Sequence, residues 1–228
     1  MAPTKQAPTR QAITLKGSTN LVTEFFKFAA NTILFQRGVY PADDFHMVKK
    51  YGQTVLVTQD LALENYLDNW LLRRSHAEWL LTGSVTQLVL AIISKDSRTT
   101  LERWVFDINL VEQPADSSEP YVYAISKHKL RTDRPHRAPA KPEAEIQAEI
   151  RNILKQIVST VTFLPVIDEP TVFNILAYTS DSADIPADEW VDTDPLAIEA
   201  SKSQQVKLRS FSTDVHRIEA MVAYRYEG

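Results

Sequence analysis

The sequence predicts an α+β chain, and three observations carry that prediction. Stretches with apolar residues three and four apart are interspersed with stretches that alternate at every second residue. Two of the alternating stretches flank a short polar turn, as in a hairpin, and no repeat of fixed period runs through the chain. With 228 residues and 44% hydrophobic content, a single domain with a substantial core is the simplest reading.

The elements follow in chain order. Residues 1–12 are polar and proline-containing and read as disordered, and "AITLKG" reads as a short strand or arm anchored by Ile13 and Leu15. From Ser18, a candidate N-cap, helical spacing places Leu21, Phe25 and Phe28 beside Val22, Phe26, Ala29 and Ile33. Apolar residues on so much of the circumference predict a central helix, stopped by Gly38 and Pro41. "QTVLVT" is a short strand, and a second helix is expected from Asp60 to Leu81 with Leu63, Leu67, Trp70 and Leu71 inward and Gly83 ending it. "VTQLVLAIIS" and "LERWVFDINL" flank "KDSRTT". Trp104, Phe106, Ile108 and Leu110 alternate there with Arg103, Val105 and Asp107, which predicts a hairpin with one wet face.

Residues 112–141 hold four of the twelve prolines, and residues 127–141 carry six Lys/Arg against one Asp, so this stretch reads as a long basic loop insertion. Pro142 and the glutamates after it open a third helix, with Ile146, Ile150, Ile153, Ile157 and Val161 as its buried stripe and "FLP" as its stop. "TVFNILAYT" is a strand with Val172, Asn174, Leu176 and Tyr178 on one face and Phe173, Ile175 and Ala177 on the other. Between Asn174 and Ser201 there are seven acidic residues and no Lys or Arg, so the segment resists collapse and reads as a tether. The closing alternation from Gln204 to Gly228 therefore hangs on a charged, weakly anchored lead.

Composition excludes several function classes. A net charge of −4 is not the basic footprint of a nucleic-acid binder. The absence of cysteine removes disulfides, thiolate catalysis and cysteine-ligated zinc. Five isolated glycines, about 2% against an average near 7%, leave no phosphate-cradling loop. Neither a signal-peptide core nor a run of about 18 apolar residues is present, which predicts a soluble protein without a membrane partner. His46, His76, His128, His136 and His216 lie in unrelated contexts, so neither metal nor cofactor is expected, and His216 reads as a surface histidine. The "LERW" and "DEW" motifs pair a carboxylate with an aromatic, and the plainer reading is a strand edge with a buried indole. Nothing in the sequence supports an enzyme.

Three stretches together resemble one family: "ITLKGSTNLVTEFFKFAANTILFQRGVYP", "LERWVFDI", and the block from "EIRNILKQIVSTVTFLP" to "LRSFSTDVHRIEAMVAY". They are similar to the HORMA-domain spindle-assembly-checkpoint family, mitotic arrest deficient two, over nearly everything from Ile13 to Tyr224. The resemblance implies one HORMA domain over residues 13–228: a three-helix layer packed on a mostly antiparallel β-sheet, with a mobile C-terminal safety belt from about residue 181. In the family's open form the belt covers the sheet edge that will receive a ligand. In the closed form it moves to the other edge, displaces the N-terminal arm and locks a partner's peptide in place. An alternating strand on a flexible lead suits this behaviour, because β-pairing is mostly backbone hydrogen bonding. A tail that completes one fixed sheet is the alternative.

By matching positions, the resemblance implies a receiving strand of Phe173, Asn174, Ile175, Leu176, Ala177 and Tyr178. The belt strands would include Leu208, Phe211, Val215, His216, Met221, Val222 and Tyr224, and the displaced arm Ile13 and Leu15. Open-on-closed homodimerisation would use Lys155, Gln156, Phe163 and Arg209. Lys155 stands where the family usually has arginine, and Ala220 where it can carry a phosphorylatable serine. The implied partners are a coiled-coil checkpoint receptor at kinetochores, the activator subunit of the anaphase-promoting complex, other mitotic checkpoint complex subunits, and an AAA+ remodelling ATPase working with a HORMA adaptor. The implied location is the nucleus and kinetochore, and also the cytoplasm. The rival readings are a HORMA adaptor of another pathway, such as a translesion polymerase subunit, an unrecognised hydrolase using His216 and Asp107, and a static structural subunit.

Overall fold

The computed structural model describes residues 13–72, 74–111, 141–180 and 191–226. Residues 1–12, expected to be a disordered arm, the expected insertion 112–141 apart from Lys141, the "DEW" motif and the first ten residues of the expected belt lie outside them.

Helix α1 (Leu15–Gln36) is the centre of the molecule. It starts earlier than the sequence suggests: Leu15 is its first helical residue rather than part of a strand, and Thr14, not Ser18, is the N-cap, its hydroxyl accepting from the Gly17 N–H at 3.1 Å. Gly38 (φ +64) ends it, and the Val39 N–H reaches back to the Leu34 carbonyl. Phe25, Phe26, Ala29, Ala30, Ile33 and Leu34 are all buried, the wide apolar face expected of a helix with neighbours on several sides.

A hairpin of β1 (Phe45–Lys50) and β2 (Gln53–Thr58) packs beside α1. Asn31, fully buried in α1, holds it by accepting the Thr58 N–H at 2.8 Å. The second expected helix is described on either side of residue 73, as α2 (Leu61–Leu72) and α3 (Arg74–Thr82), with the Asp60 carboxylate capping α2 at the Leu63 N–H. Gly83 takes φ +72, and a Cβ there would strike the Leu110 side chain.

Strands β3 (Val85–Ser94), β4 (Thr100–Leu110), β5 (Thr171–Thr179), β6 (Ser203–Ser212) and β7 (His216–Arg225) form one sheet in the order β5-β3-β4-β7-β6. Every pairing in it is antiparallel. Helix α4 (Glu143–Thr160) buries Ile146, Ile150, Ile153, Leu154 and Ile157 against α1 and β6, whereas Val161 is only half-buried. The helices cover one face of the sheet, where Phe106 meets Phe25 and Phe26 edge-on at ring separations of 5.7 and 5.4 Å.

The opposite face is not simply wet. Val89, Val105 and Leu176 are buried there beneath Tyr178, Met221 and Leu196, so part of the acidic lead lies across the sheet. Leu110, expected inward, is 48% exposed at the strand end.

Candidate functional site: two edges of one sheet

The sheet has two outer strands, and the chain treats them differently. At one end β5 pairs only with β3, in register from Val85↔Thr179 to Ser94↔Thr171, and its other side meets no strand among the described residues. Such an edge offers a row of backbone donors and acceptors to any incoming chain. Phe173, Ile175 and Ala177 face the main core, while Leu176 and Tyr178 face the opposite side, as the alternation predicts. Phe173 sits in an aromatic group with Tyr66 and Tyr40, at ring separations of 5.5 and 6.1 Å. The Asn174 side-chain oxygen accepts the N–H of Ile175 at 2.9 Å.

At the other end the C-terminal hairpin occupies the free side of β4. Strand β7 pairs along β4 from Glu102↔Tyr224 to Leu110↔His216, and β6 lies outside β7. Phe211 anchors the hairpin: it is 1% exposed and meets Phe25 of α1 edge-on at 4.9 Å. Val215, Val222 and Tyr224 are buried as well, Leu208 packs partly against the core, and Met221 lies on the outer face. The outer side of β6 is covered by α4. Gln156 accepts the Arg209 N–H at 2.6 Å, where the β6–β7 register slips, and Glu149 accepts the Ser212 N–H at 3.2 Å.

His216 is not a surface histidine; it is fully buried at the start of β7. Its Nδ1 lies 2.7 Å from the Ser18 hydroxyl and its Nε2 3.0 Å from the Leu80 carbonyl. A carbonyl only accepts, so Nε2 carries the proton, Nδ1 accepts from Ser18, and Thr213 completes the chain 2.6 Å from the Ser18 oxygen. Burial holds the imidazole below its ordinary pKa, and the bond to Leu80 only partly offsets this. The tail is thereby joined to the first turn of α1 and to α3 at once. Asp107, its supposed catalytic partner, instead accepts from Gln87 at 2.6 Å. Asp107 belongs to the alternate set of β4 residues that includes Val105, which faces away from the main core.

A second buried polar group was also missed by sequence reasoning. Glu102 is 2% exposed and receives both Nε and Nη2 of Arg37, at 2.8 and 2.5 Å, together with the Trp104 indole N–H at 3.0 Å. Burial raises the carboxyl pKa, and Arg37 and Trp104 pull it back. Arg37 also donates to the Pro165 carbonyl, so the "FLP" turn, β4 and the end of α1 meet at one ion pair. The buried indole of "LERW" is as expected, but β4 lies between β3 and β7 rather than at an edge, and the carboxylate is structural. In both cases a signal was present. Glu102 shares the parity of Trp104 and Phe106, and His216 that of Ile218 and Val222, and a polar residue on an inward set needs a partner.

Of the four residues implied for dimerisation, Gln156 and Arg209 are brought into contact, and Lys155 is exposed on the same turn of α4 as Gln156. Phe163 is 49% exposed just beyond the helix. Ile13 packs half-buried against the core ahead of α1. Among the described residues no group of His, Asp and Glu is arranged to hold a metal ion, and no helix is long and apolar enough to cross a membrane.

Comparison with known proteins agrees with this architecture. The HORMA domain family matches residues 18–216. The mitotic spindle assembly checkpoint protein MAD2A of Dictyostelium discoideum is 46% identical over 213 residues, 93% of each chain. MAD2A of Homo sapiens is 40% identical over 220 residues, 96% of each. A DNA polymerase zeta processivity subunit of Schizosaccharomyces pombe is a distant match at 26% identity, which makes the polymerase reading the weaker one. A chain in the crystal structure of a mitotic checkpoint complex superposes with TM-score 0.74 at 38% identity, covering 92% of this chain and 99% of that one. The fold is also shared with Caenorhabditis elegans HTP-2 bound to a HIM-3 closure motif, at TM-score 0.70 and 12% identity. An antiparallel sheet layered on helices, a family match over residues 18–216 and 40–46% identity to checkpoint proteins over more than nine tenths of the chain leave one conclusion: the chain belongs to the HORMA-domain family, whose MAD2 members are non-enzymatic adaptors of the spindle assembly checkpoint, and it is an adaptor of that kind.

Proposed function

We propose that this adaptor captures a partner's peptide as an added strand on β5, and that residues 181–228 act as the belt that holds it. The observation that carries the reading is the asymmetry of the sheet. The C-terminal hairpin is docked on β4, and the β5 edge is left without a strand among the described residues. That is the closed arrangement implied by the family resemblance. In the open arrangement the same tail covers β5, and the two need differ by only a few kcal/mol to coexist.

The guest strand is bound through backbone hydrogen bonds to Phe173–Tyr178, each worth about 1 kcal/mol net, while apolar neighbours accept alternate side chains. The guests are a peptide of the anaphase-promoting-complex activator and one of a coiled-coil kinetochore receptor, and capture of the former delays anaphase. The solved checkpoint complex containing a 38%-identical chain supports this choice. Because the tail must move before the guest is trapped, association is slow and the complex long-lived. Open and closed copies pair through α4, and an AAA+ ATPase with its own HORMA adaptor reverses the closure. The protein works in the nucleus, at kinetochores and in the cytoplasm.

Backbone NMR of the full chain, empty and with a synthetic activator peptide, tests the reading. The amides of residues 172–179 should shift and gain exchange protection in the bound state, with the hairpin on β4. A hairpin in one unchanged position, with the guest on another surface, would refute the mechanism.

A further inference from the structure

The turn that joins β6 to β7 is fastened to the helices by a chain of hydrogen bonds that runs in one direction. The Thr213 hydroxyl oxygen accepts the N–H groups of Val215 and His216, at 3.1 and 2.8 Å. A hydroxyl has two acceptor positions and one proton to give, so Thr213 has only its proton left for the Ser18 oxygen, 2.6 Å away. Its other acceptor within reach, the His216 carbonyl at 3.3 Å, already takes the Thr213 N–H. The Ser18 proton therefore goes to His216 Nδ1, and the proton on Nε2 goes to the Leu80 carbonyl. All three side chains are buried, and the Ser18 hydroxyl has no further partner among the described residues.

This order of donors fits only a neutral ring. A second ring proton, on Nδ1, would point at the Ser18 oxygen and strand the Ser18 proton, because both acceptor positions of Thr213 are filled. It would also bury a cation, and the charged side chains on the surrounding elements are turned elsewhere. Lys16 on α1 and Glu78 on α3 are exposed, and Asp107 on β4 accepts from Gln87. Lys141 and Glu149 pair with each other at α4, as do Arg217 and Glu219 on β7. Asp214, in the turn itself, accepts the Lys141 N–H at 3.1 Å, and its other oxygen is buried without a partner. Burial and the Leu80 carbonyl are the influences on the ring, and burial is the larger. We infer that His216 makes the seat of the C-terminal hairpin proton-sensitive: one proton taken up by its ring unfastens the β6–β7 turn from α1 and α3 and loosens β7 from β4. The loss is local, because β3, β4 and β5 pair with one another without the hairpin. It concerns the empty chain and does not depend on the capture of a guest.

The test is hydrogen exchange of the full chain by NMR, corrected for the intrinsic rate and stepped downward in pH, with the His216 ring signals followed in the same samples. The docked ring holds a second proton less tightly than an exposed one, so opening of β7 should be flat above about pH 6.5 and rise below it, by up to about tenfold per pH unit for one proton. The amides of residues 88–92 in β3 should keep their protection. His216→Gln, whose amide can donate to Leu80 and accept from Ser18 but takes up no proton, should remove the rise, and Asp214→Asn should keep it. Equal loss of protection in β7 and β3 overturns the inference. So does acid opening that persists in His216→Gln, or that vanishes in Asp214→Asn and so belongs to the carboxylate. Where His216→Gln fails to seat its hairpin, the unsubstituted chain decides: ring protonation in step with β7 opening supports the inference, and a protonated ring beneath a protected β7 overturns it.

Discussion

The two outer strands of the sheet differ in how much of the rest of the molecule is committed to them. The β6 side is fastened from three directions: Phe211 in the aromatic core, His216 between Ser18 and Leu80, and the α4 side chains Gln156 and Glu149 on backbone N–H groups. The β5 side has lighter ties: Asn174 folded onto its neighbour's N–H, the Tyr178 hydroxyl between Arg103 and the Pro195 carbonyl, and a half-exposed aromatic group around Phe173. Among the described residues one edge is covered and the other presents unpaired backbone groups. The hairpin therefore does more than complete a sheet. It is held by side-chain contacts specific to that position, which a competing β5 location must forgo.

The largest break in this asymmetry comes from removing β7. A chain ending at His216 loses the strand that joins β6 to β4, so Phe211 and the α4 contacts are left on a strand with no sheet neighbour. Peptide capture should fall by at least a hundredfold in a fluorescence-polarisation titration, while far-UV circular dichroism keeps the helical signal of α1 and α4. Tight binding by the truncated chain would exclude the belt.

Phe211→Ala is the next largest. Deleting a fully buried phenylalanine costs about 3–5 kcal/mol, and here much of that falls on the docked hairpin rather than on the helices. Chemical denaturation should lose that amount, and the NMR signals of β7 should exchange faster than those of β3. Equal acceleration in both strands would mean that the hairpin and the core unfold as one unit.

How far these features could be read in advance depended on sequence separation. The apolar stripes of α1 and α4, the β3–β4 hairpin and the alternation of β5 are local patterns, and the chain follows them. The start of α1 was misplaced because Ser18 looks like a cap but is buried against residues 195 and 198 positions away, and no local pattern carries that contact. Strand β1 went unseen because its outward residues, with Met47 75% exposed, give no clean alternation. Leu196 is one of five isolated apolar residues that could anchor the acidic, tether-like segment, with Ile185, Trp190, Val191 and Ile198, and no periodic signal says which of them packs. The proposed receiving edge was legible only through resemblance, since alternation cannot say which side of a strand is left open.

The His216 contact gives a smaller effect with a definite sign. The native imidazole is neutral, and its pKa in the fold is below that of the unfolded chain. The hairpin's stabilisation is therefore fully present above the ordinary histidine range, near pH 6.5, and is lost as pH falls through the depressed folded value. Urea midpoints should drop as the pH falls below about 6.5, and His216→Gln should flatten that drop. The substitution itself should cost about 1–3 kcal/mol at pH 7.5, because the Leu80 carbonyl and Ser18 hydroxyl lose a partner. An unaltered slope would place the titrating group elsewhere.

The smallest effect on stability, and the sharpest on the outer surface of the closed edge, belongs to Lys155. Its side chain is exposed on α4 beside Gln156, whose amide covers the slipped stretch of β6 at Arg209. An exposed charge reversal there should move stability by less than about 0.5 kcal/mol, and it touches neither β5 nor the hairpin's buried anchors. Lys155→Glu should therefore leave peptide capture intact and weaken self-association in sedimentation velocity at high concentration. Lys155→Arg should strengthen it, because a guanidinium adds planar, multiple donors where the ammonium supplies a point charge. If both variants sediment like the parent chain, α4 serves only to seal the β6 edge and the copies meet through another surface. If only the glutamate variant changes, the lysine already provides all the charge that the contact uses.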